Sequence, residues 1–507
     1  MMKMKKYISF TGLLIAAGIL FNACELDYAP ENTLVDEKVY KDKKSAEAAL
    51  MGNYVRLNVF MAGAPQDQNN YSNLGYTWYL GDLGTENLNV REKSSGFVAI
   101  EKAEYTSSEH DSYLRNIWYW GYNAIDFSNN IILGVNRYGQ YDAQMKKQHI
   151  AEAKFIRAYI YFYLLNIYGD QALLGNDNGD GVVLSLQPYN GYNPDEVSGR
   201  STNAAVWSQI IRDLEEAITD LPAAVPDATS RIRATKSSAQ ALLSRVYLYK
   251  GTYKNNQADL VKARDLAKTV LSTSGYAFSA SSNEFITALF PNNEYTQSGS
   301  YPDPTTRSNE LIFFQPSRLY VDNYPCGLSY YYRKLNFFVP KTIENLYDKD
   351  DVRLDYLIWT GSKSDNPSDS TSMKYSGGEY NDVIYIRLAE MKLTYAETLV
   401  RTSNSVTTEA VAHLNDIHQR AYPEGLKPAP YKVADFASVD DFLKEVLRER
   451  NRELAYEGHY RWDLMRTNNL LGDTKMGAID KTRWNFPVSD YEIRISDGKI
   501  KQNTGFN

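Results

Sequence analysis

Three stretches of this sequence, Ala153–Asp170, Ala239–Tyr253 and Tyr385–Arg401, share one texture: Ala, Leu and Tyr intermixed, with few turn formers. In the first, apolar side chains occupy most of the helical circumference, so that helix must be buried on nearly all sides. In the second, Leu242, Val246 and Tyr249 follow a four-then-three spacing, and in the third Ile386, Ala389, Leu393, Ala396 and Val400 share one face. Helices of this kind bury themselves against other helices. Matching patterns occur at about 45–60, 111–139, 142–168, 203–220, 235–250, 258–272, 383–402, 407–421 and 439–467. Ser45 is placed to cap the earliest of these, with Glu47 in its first turn. Pro222 and Gly251 stop two others.

The three stretches resemble the first helix of a tetratricopeptide unit, but they do not recur at a fixed spacing near 34 residues. The expected fold is mainly α: a scaffold of degenerate tetratricopeptide-like helix pairs, with large insertions building an irregular, loop-rich half. The insertions lie at about 61–110, 169–202 and 275–380, where Gly, Asn, Ser, Pro and Tyr accumulate and helical period fades (341–348 could form one short helix). A stretch as long as the last is usually functional. Residues 25–40 read as an extended tether and 468–507 as a turn-rich tail.

The first 23 residues form an address. Lys3, Lys5 and Lys6 precede an apolar run from Ile8 to Phe21, and Ala23 stands directly before Cys24. The run is short for a membrane span. The arrangement resembles a bacterial lipoprotein signal, cleaved before a cysteine that then carries lipid, although Phe21 stands where leucine is usual. That makes Cys24 the expected lipid site and residues 24–507 one mature domain. Glu25 and Asp27 resemble the acidic export tag of Bacteroidetes surface lipoproteins. The whole chain carries a net charge of −7. Without the first 23 residues, 52 basic side chains face 62 acidic ones, a balance of −10. That excludes a general nucleic-acid binder. With Cys24 and Cys326 the only cysteines, no disulfide framework or cysteine-based zinc site can form.

Glu453 and Glu457 are a carboxylate pair of the type a glycosidase needs. However, they lie four apart on one expected helix, with Arg450 three before the first and Arg461 four after the second. A buried Arg/Glu network at a helix end ended or bent by Gly458 is the better reading, with His459 part of the packing. Asp177-Asn178-Gly179-Asp180-Gly181 is similar to a calcium loop, but Gly179 replaces an oxygen ligand and no Glu follows at the twelfth position. A polar turn accounts for it, so no cofactor is expected and a structural calcium ion is the one exception left open. No nucleotide-binding or serine-hydrolase signature occurs.

The segment Glu449-Arg450-Asn451-Arg452-Glu453-Leu454-Ala455-Tyr456-Glu457-Gly458-His459, continuing through Arg461, Asp463, Leu464 and Arg466, resembles the SusD/RagB family of Bacteroidetes surface lipoproteins. Three further stretches agree with it: Ala153–Asp170, Arg387-Leu388-Ala389-Glu390 through Tyr395-Ala396-Glu397, and Phe486-Pro487-Val488 through Gln502-Asn503-Thr504-Gly505-Phe506. The resemblance assigns Arg450, Glu453, Glu457, Gly458, Arg461 and Asp463 to a structural motif. It implies a non-enzymatic, lipid-anchored protein facing the cell exterior at the outer membrane. Such a protein caps a SusC-like TonB-dependent barrel transporter and captures glycans, or in some members peptides.

Sugar binding needs flat aromatic faces beside short polar groups. Two loop segments supply both. From 76–87 the candidates are Tyr76, Trp78, Asp82 and Asn87, and from 320–333 they are Tyr320, Asn323, Tyr324 and Tyr331. Tyrosine is in surplus, 41 residues in all against 18 Phe, and those outside these segments are expected to pack between helices with hydroxyls reaching water. Trp118, Trp120, Trp207 and Trp462 read as core and Trp484 as packed.

Overall fold

The computed structural model describes residues 36–63, 77–90, 95–105, 108–191, 193–223, 231–279, 281–282, 285, 289–290, 307–315, 337–359, 371–372, 374 and 382–506. Helices dominate. In chain order they are α1 (Asp36–Tyr40), α2 (Lys43–Ala62), α3 (Ser95–Glu101), α4 (Ser108–Tyr138), α5 (Ala143–Tyr168), α6 (Asn203–Asp220), α7 (Lys236–Thr252) and α8 (Gln257–Leu271). Then come α9 (Val352–Leu357), α10 (Leu388–Ser403), α11 (Thr408–Arg420), α12 (Val439–Leu454), α13 (Tyr460–Arg466), α14 (Thr474–Ala478) and α15 (Asp490–Ile495). Each long helix packs on its successor from α4 through α8. Next, α8 packs on α10, and α10 carries α11 and α12. This is the tetratricopeptide-like stack of helix pairs expected from the sequence.

Local signals set the starts. Thr202, Asn256, Thr407 and Ser438 each cap a helix by accepting a backbone N–H, and Thr235 and Ser238 form a reciprocal capping box on α7. The first long helix is capped by Asp42, not by Ser45, whose N–H donates to the Asp42 carboxylate at 3.1 Å. The part of the tether from Asp36 to Tyr40 is helical. In α5, every residue from Phe155 to Tyr168 is buried. Its tyrosines pack as expected, but their hydroxyls end on protein and not in water. Tyr161 donates to the Ser185 carbonyl at 2.9 Å and Tyr168 to the Leu114 carbonyl at 2.6 Å.

The sequence reading of 383–402 as one helix is wrong at its start. Two strands pair here: β1 (Leu311–Gln315) and β2 (Val383–Arg387). They run antiparallel, with Leu311 opposite Arg387 and Gln315 opposite Val383. A Val-Ile-Tyr-Ile run suits a fully buried strand better than a helix, because branched and aromatic side chains lose rotamers against a preceding turn. The expected helix over 439–467 is two. It stops at Leu454, then Tyr456 and Gly458 take φ of +64° and +77° before α13 begins. The tail holds short helices, α14 and α15, on turns. Among the described residues, no helix is long and apolar enough to cross a membrane.

Buried guanidinium–carboxylate pairs cross-link the stack. Arg157 on α5 grips Asp213 on α6 through Nε and Nη2 at 2.8 and 2.7 Å. Arg245 on α7 grips Glu390 on α10 with two bonds of 2.6 Å. Arg466 on α13 grips Glu397 on α10 at 2.6 and 2.8 Å. Bidentate pairs fix orientation as well as proximity. Their net stability is small, but removing either partner strands a buried charge.

Candidate ligand-binding site

The segment 77–90 packs against the break between α12 and α13. The Trp78 N–H donates to the Met61 carbonyl at 2.9 Å, which joins it to the end of α2. Its indole Nε1 donates to the Tyr456 carbonyl at 2.9 Å, and its ring meets Tyr385 edge-on at 5.8 Å. Three residues on, Gly81 lies back to back with Gly458: a Cβ on Gly81 would stand 2.3 Å from the Gly458 Cα. Only two glycines permit that approach. Asn87 Nδ2 then donates to Asp82 Oδ1 at 3.0 Å and to Asn451 Oδ1 at 2.7 Å, and the Tyr456 hydroxyl donates to the Asn87 carbonyl at 3.1 Å. Burial pushes the Asp82 carboxyl up to about 6, against the hydrogen bond from Asn87.

These contacts correct the sequence reading of this loop. Trp78, Asp82 and Asn87 are 1%, 0% and 2% exposed. They lock the segment to the scaffold and present no face on which a sugar could stack. Their flat-plus-polar composition suits a ligand, but it equally suits a buried joint between irregular backbone segments that need hydrogen bonds. Tyr76, Tyr320, Asn323, Tyr324 and Tyr331 lie outside the described residues, as does Cys24.

Behind the joint lies a buried ionic cluster. Glu453 accepts from Arg387 and Arg420 on one oxygen and from Arg353 at 3.0 Å on the other. Glu457 accepts from Arg387 Nε and Nη2, both at 2.8 Å, and from Lys374 at 2.6 Å. Arg353 also holds Asp351 and Glu449, and Arg387 and Arg420 share Glu310. Among the described residues, Arg353, Arg387, Arg420 and Lys374 thus interlock with five carboxylates, all nearly without solvent contact, and Arg452 reaches Glu449 from the outside at 3.0 Å. Burial alone would raise Glu453, but Arg420, Arg387 and Arg353 outweigh it and hold the carboxyl well below its usual range. Glu457 is likewise lowered, with Arg387 and Lys374 overcoming burial. A general acid needs the opposite shift, so this pair is built to stay ionised. Burial, then the Arg245 and Arg450 charges, push His459 far down and keep its imidazole neutral.

The cluster is the network expected at this helix end, with different partners. Arg450 reaches Asp463 at 3.0 Å, not Glu453. Arg461 donates to the carbonyls of Leu83 and Trp484 at 2.9 and 2.7 Å, not to Glu457. Because the helix ends before Glu457, the four-residue spacing to Arg461 does not place them on one face. Glu310, Asp351, Arg353, Lys374 and Arg420 escape sequence reasoning. Only Glu310 has a readable signal, a lone carboxylate directly before the apolar run Leu311–Phe314. Among the described residues, no three His, Cys, Asp or Glu side chains converge as metal ligands. Asp177, in the calcium-like turn, pairs with Lys254 at 2.9 Å.

Two family models match the chain: residues 348–506 match the SusD family, and residues 36–248 match a family described as starch-binding associating with outer membrane. The chain is 25% identical to the SusD-like protein P38 of Formosa agariphila over the whole of both, and 24% identical to a SusD-like protein of Bacteroides ovatus over 96% of this chain and 87% of that one. A SusD superfamily protein from Parabacteroides distasonis superposes with a TM-score of 0.72 at 18% identity, covering 92% of this chain and 99% of the other. A SusD-like carbohydrate binding protein from Bacteroides vulgatus superposes with a TM-score of 0.64 at 19% identity, covering 84% of each.

Proposed function

From the premise that this chain belongs to the SusD/RagB family, we propose that it is a non-catalytic lipoprotein of the outer membrane. It binds oligosaccharides at the cell exterior and delivers them to a partner TonB-dependent barrel transporter. The observation that carries this reading is the match of residues 36–248 to a family described as starch-binding associating with outer membrane, together with the match of residues 348–506 to the SusD family. The ionic cluster supports it chemically. The sequence's one candidate pair for glycoside hydrolysis, Glu453 and Glu457, is fully engaged by guanidinium and ammonium groups.

Anchorage at Cys24 fits the same role. Acyl chains hold a protein to a bilayer at about 0.8 kcal/mol per buried methylene, leaving the helical stack free in water. The glycan-facing surface is assigned to the loop-rich half, with Tyr76, Tyr320, Asn323, Tyr324 and Tyr331 as its remaining candidates.

Affinity electrophoresis of the chain lacking residues 1–24 in gels cast with single polysaccharides tests the cargo, with a peptide library as the competing arm. Retardation by one polymer class is the expected result. Peptide capture without glycan retardation reassigns the cargo, and sustained release of reducing ends overturns the non-catalytic role. Metabolic labelling with palmitate, lost in Cys24→Ser, tests the anchor. Co-purification of a barrel transporter with the tagged native protein tests the partner.

A further inference from the structure

A cavity of about 650 Å³ opens between α4, the excursion segment at 183–198, and α15. None of its lining residues comes from 76–87 or 320–333, the two segments that supply the ligand candidates. This volume is within the range of about 300–1,000 Å³ common to small-ligand pockets. Asp111 on α4 accepts the Asp490 N–H at 3.1 Å and pins the short α15 helix beside α4. Tyr491 and Glu492 on that helix line the cavity together with Trp118 of α4 and Ser185.

Four of its polar groups have no protein partner among the described residues: the Glu492 carboxylate, the Trp118 indole N–H, and the hydroxyls of Ser185 and Tyr491. None is a sealed, unsatisfied atom, so each meets solvent. The Tyr491 ring is 41% exposed, with the Arg115 guanidinium 5.3 Å from its centre. Trp118 is held rigidly by Tyr122 and Tyr168, at ring distances of 4.9 and 5.2 Å. Glu492 is the one ionisable carboxyl in the lining. Burial raises it to about 7, with Arg115 opposing and Asp111 assisting. A group left half-dry with no donor gains from a ligand that supplies one.

The chemistry selects the ligand. An anion would face Glu492. An alkyl chain would leave the carboxylate and the indole N–H unmet. An amine would satisfy Glu492 but leave the indole N–H without an acceptor. A neutral pyranose supplies hydroxyls that both donate and accept, and an apolar ring face for Tyr491 or Trp118. We infer that this cavity is a second saccharide subsite, lined by none of the ligand candidates of 76–87 and 320–333, taking one or two neutral sugar units through Glu492, Trp118 and Tyr491.

The test is calorimetric titration of the full mature chain with maltose, cellobiose and xylobiose, alongside octylamine and octanoate. The wild-type chain should bind at least one disaccharide saturably, with a change in tryptophan emission. Glu492→Gln and Tyr491→Ala should each weaken it at least tenfold. Tyr491 is exposed enough that its loss should leave melting unchanged, which separates binding from folding. Disaccharide binding that survives both substitutions overturns the inference, as does preference for the amine or the fatty acid. Polysaccharide retardation of the same variants reports the first function separately. If the wild type is retarded by a polymer but binds no disaccharide, this subsite is refuted and the functional reading stands. If disaccharides bind here but the protein captures peptides and no polymer retards it, the subsite stands and the cargo of the functional reading is reassigned.

Discussion

Replacing Glu453 by Gln changes almost no volume and removes one charge from the centre of the ionic cluster. Three guanidiniums, from Arg353, Arg387 and Arg420, converge on this carboxylate. The amide introduced by Glu453→Gln accepts on one atom only and turns an N–H₂ group toward at least one guanidinium. Breaking a buried pair by removing one partner costs about 3–5 kcal/mol. For a chain of 507 residues, an unfolding entropy of about 2.1 cal/mol/K per residue gives about 1 kcal/mol per kelvin, so the melting temperature should fall by about 3–5 °C. Glu424→Gln is the control. It breaks only a surface pair to Lys427, with the glutamate side chain 89% exposed, and should change nothing measurable. The pH dependence has a definite sign. The carboxyl is held below its usual range in the fold, so its contribution is full above the unfolded value near 4.3 and declines as pH falls below it. The wild-type advantage over Glu453→Gln should therefore shrink below about pH 4.3. Differential scanning calorimetry at pH 7 and at pH 3.5 measures both. Melting within 1 °C of wild type at pH 7 would refute the claim that this carboxylate is a structural keystone.

Trp78→Ala should destabilise the chain by about 3–5 kcal/mol in urea unfolding, as loss of a large buried aromatic does, while Trp78→Phe should cost about 1 kcal/mol through the lost bond to the Tyr456 carbonyl. Normal stability with lost glycan binding in either variant would return Trp78 to the ligand site. Gly81→Ala should abolish soluble expression, because its Cβ would stand 2.3 Å from the Gly458 backbone; recovery of a folded protein would contradict the observed approach. For Asp82, whose carboxyl is raised to about 6 by burial, ionisation is disfavoured in the fold, so the penalty is absent below about pH 4 and full above pH 6. Asp82→Asn should gain stability relative to wild type across that window, reaching about 3 kcal/mol at most, and a flat difference from pH 4 to 8 would count against it.

The helical scaffold is legible because long helices advertise themselves by period, and most expected boundaries fall within a few residues of the observed ones. The failures have physical causes. Val383–Arg387 reads as part of the following helix because a buried strand and a buried helix are both apolar runs, and only the partner strand at Leu311–Gln315 distinguishes them. The break after Leu454 comes earlier than Gly458 suggests, because Tyr456 takes a left-handed conformation that its residue type does not announce. The site is less legible than the fold. Aromatic residues beside Asp and Asn describe a sugar-binding surface and a hydrogen-bonded interior joint equally well, and burial, which decides between them for Trp78, Asp82 and Asn87, is not written in the local sequence. Arg353, Lys374 and Arg420 reach Glu453 and Glu457 from distant segments, and no local spacing joins them.

The ladder between β1 and β2 has one more consequence. Gln315 and Val383 face each other across it, so the 67 residues numbered 316–382 depart and return at a single rung. Chain inserted between such clamped ends adds only about 0.6 kcal/mol of closure entropy for each doubling of length. Arg353 and Lys374 lie inside that interval and reach Glu453 and Glu457, so insertions or deletions are expected only outside the pieces that carry them, and the rung itself need not shift.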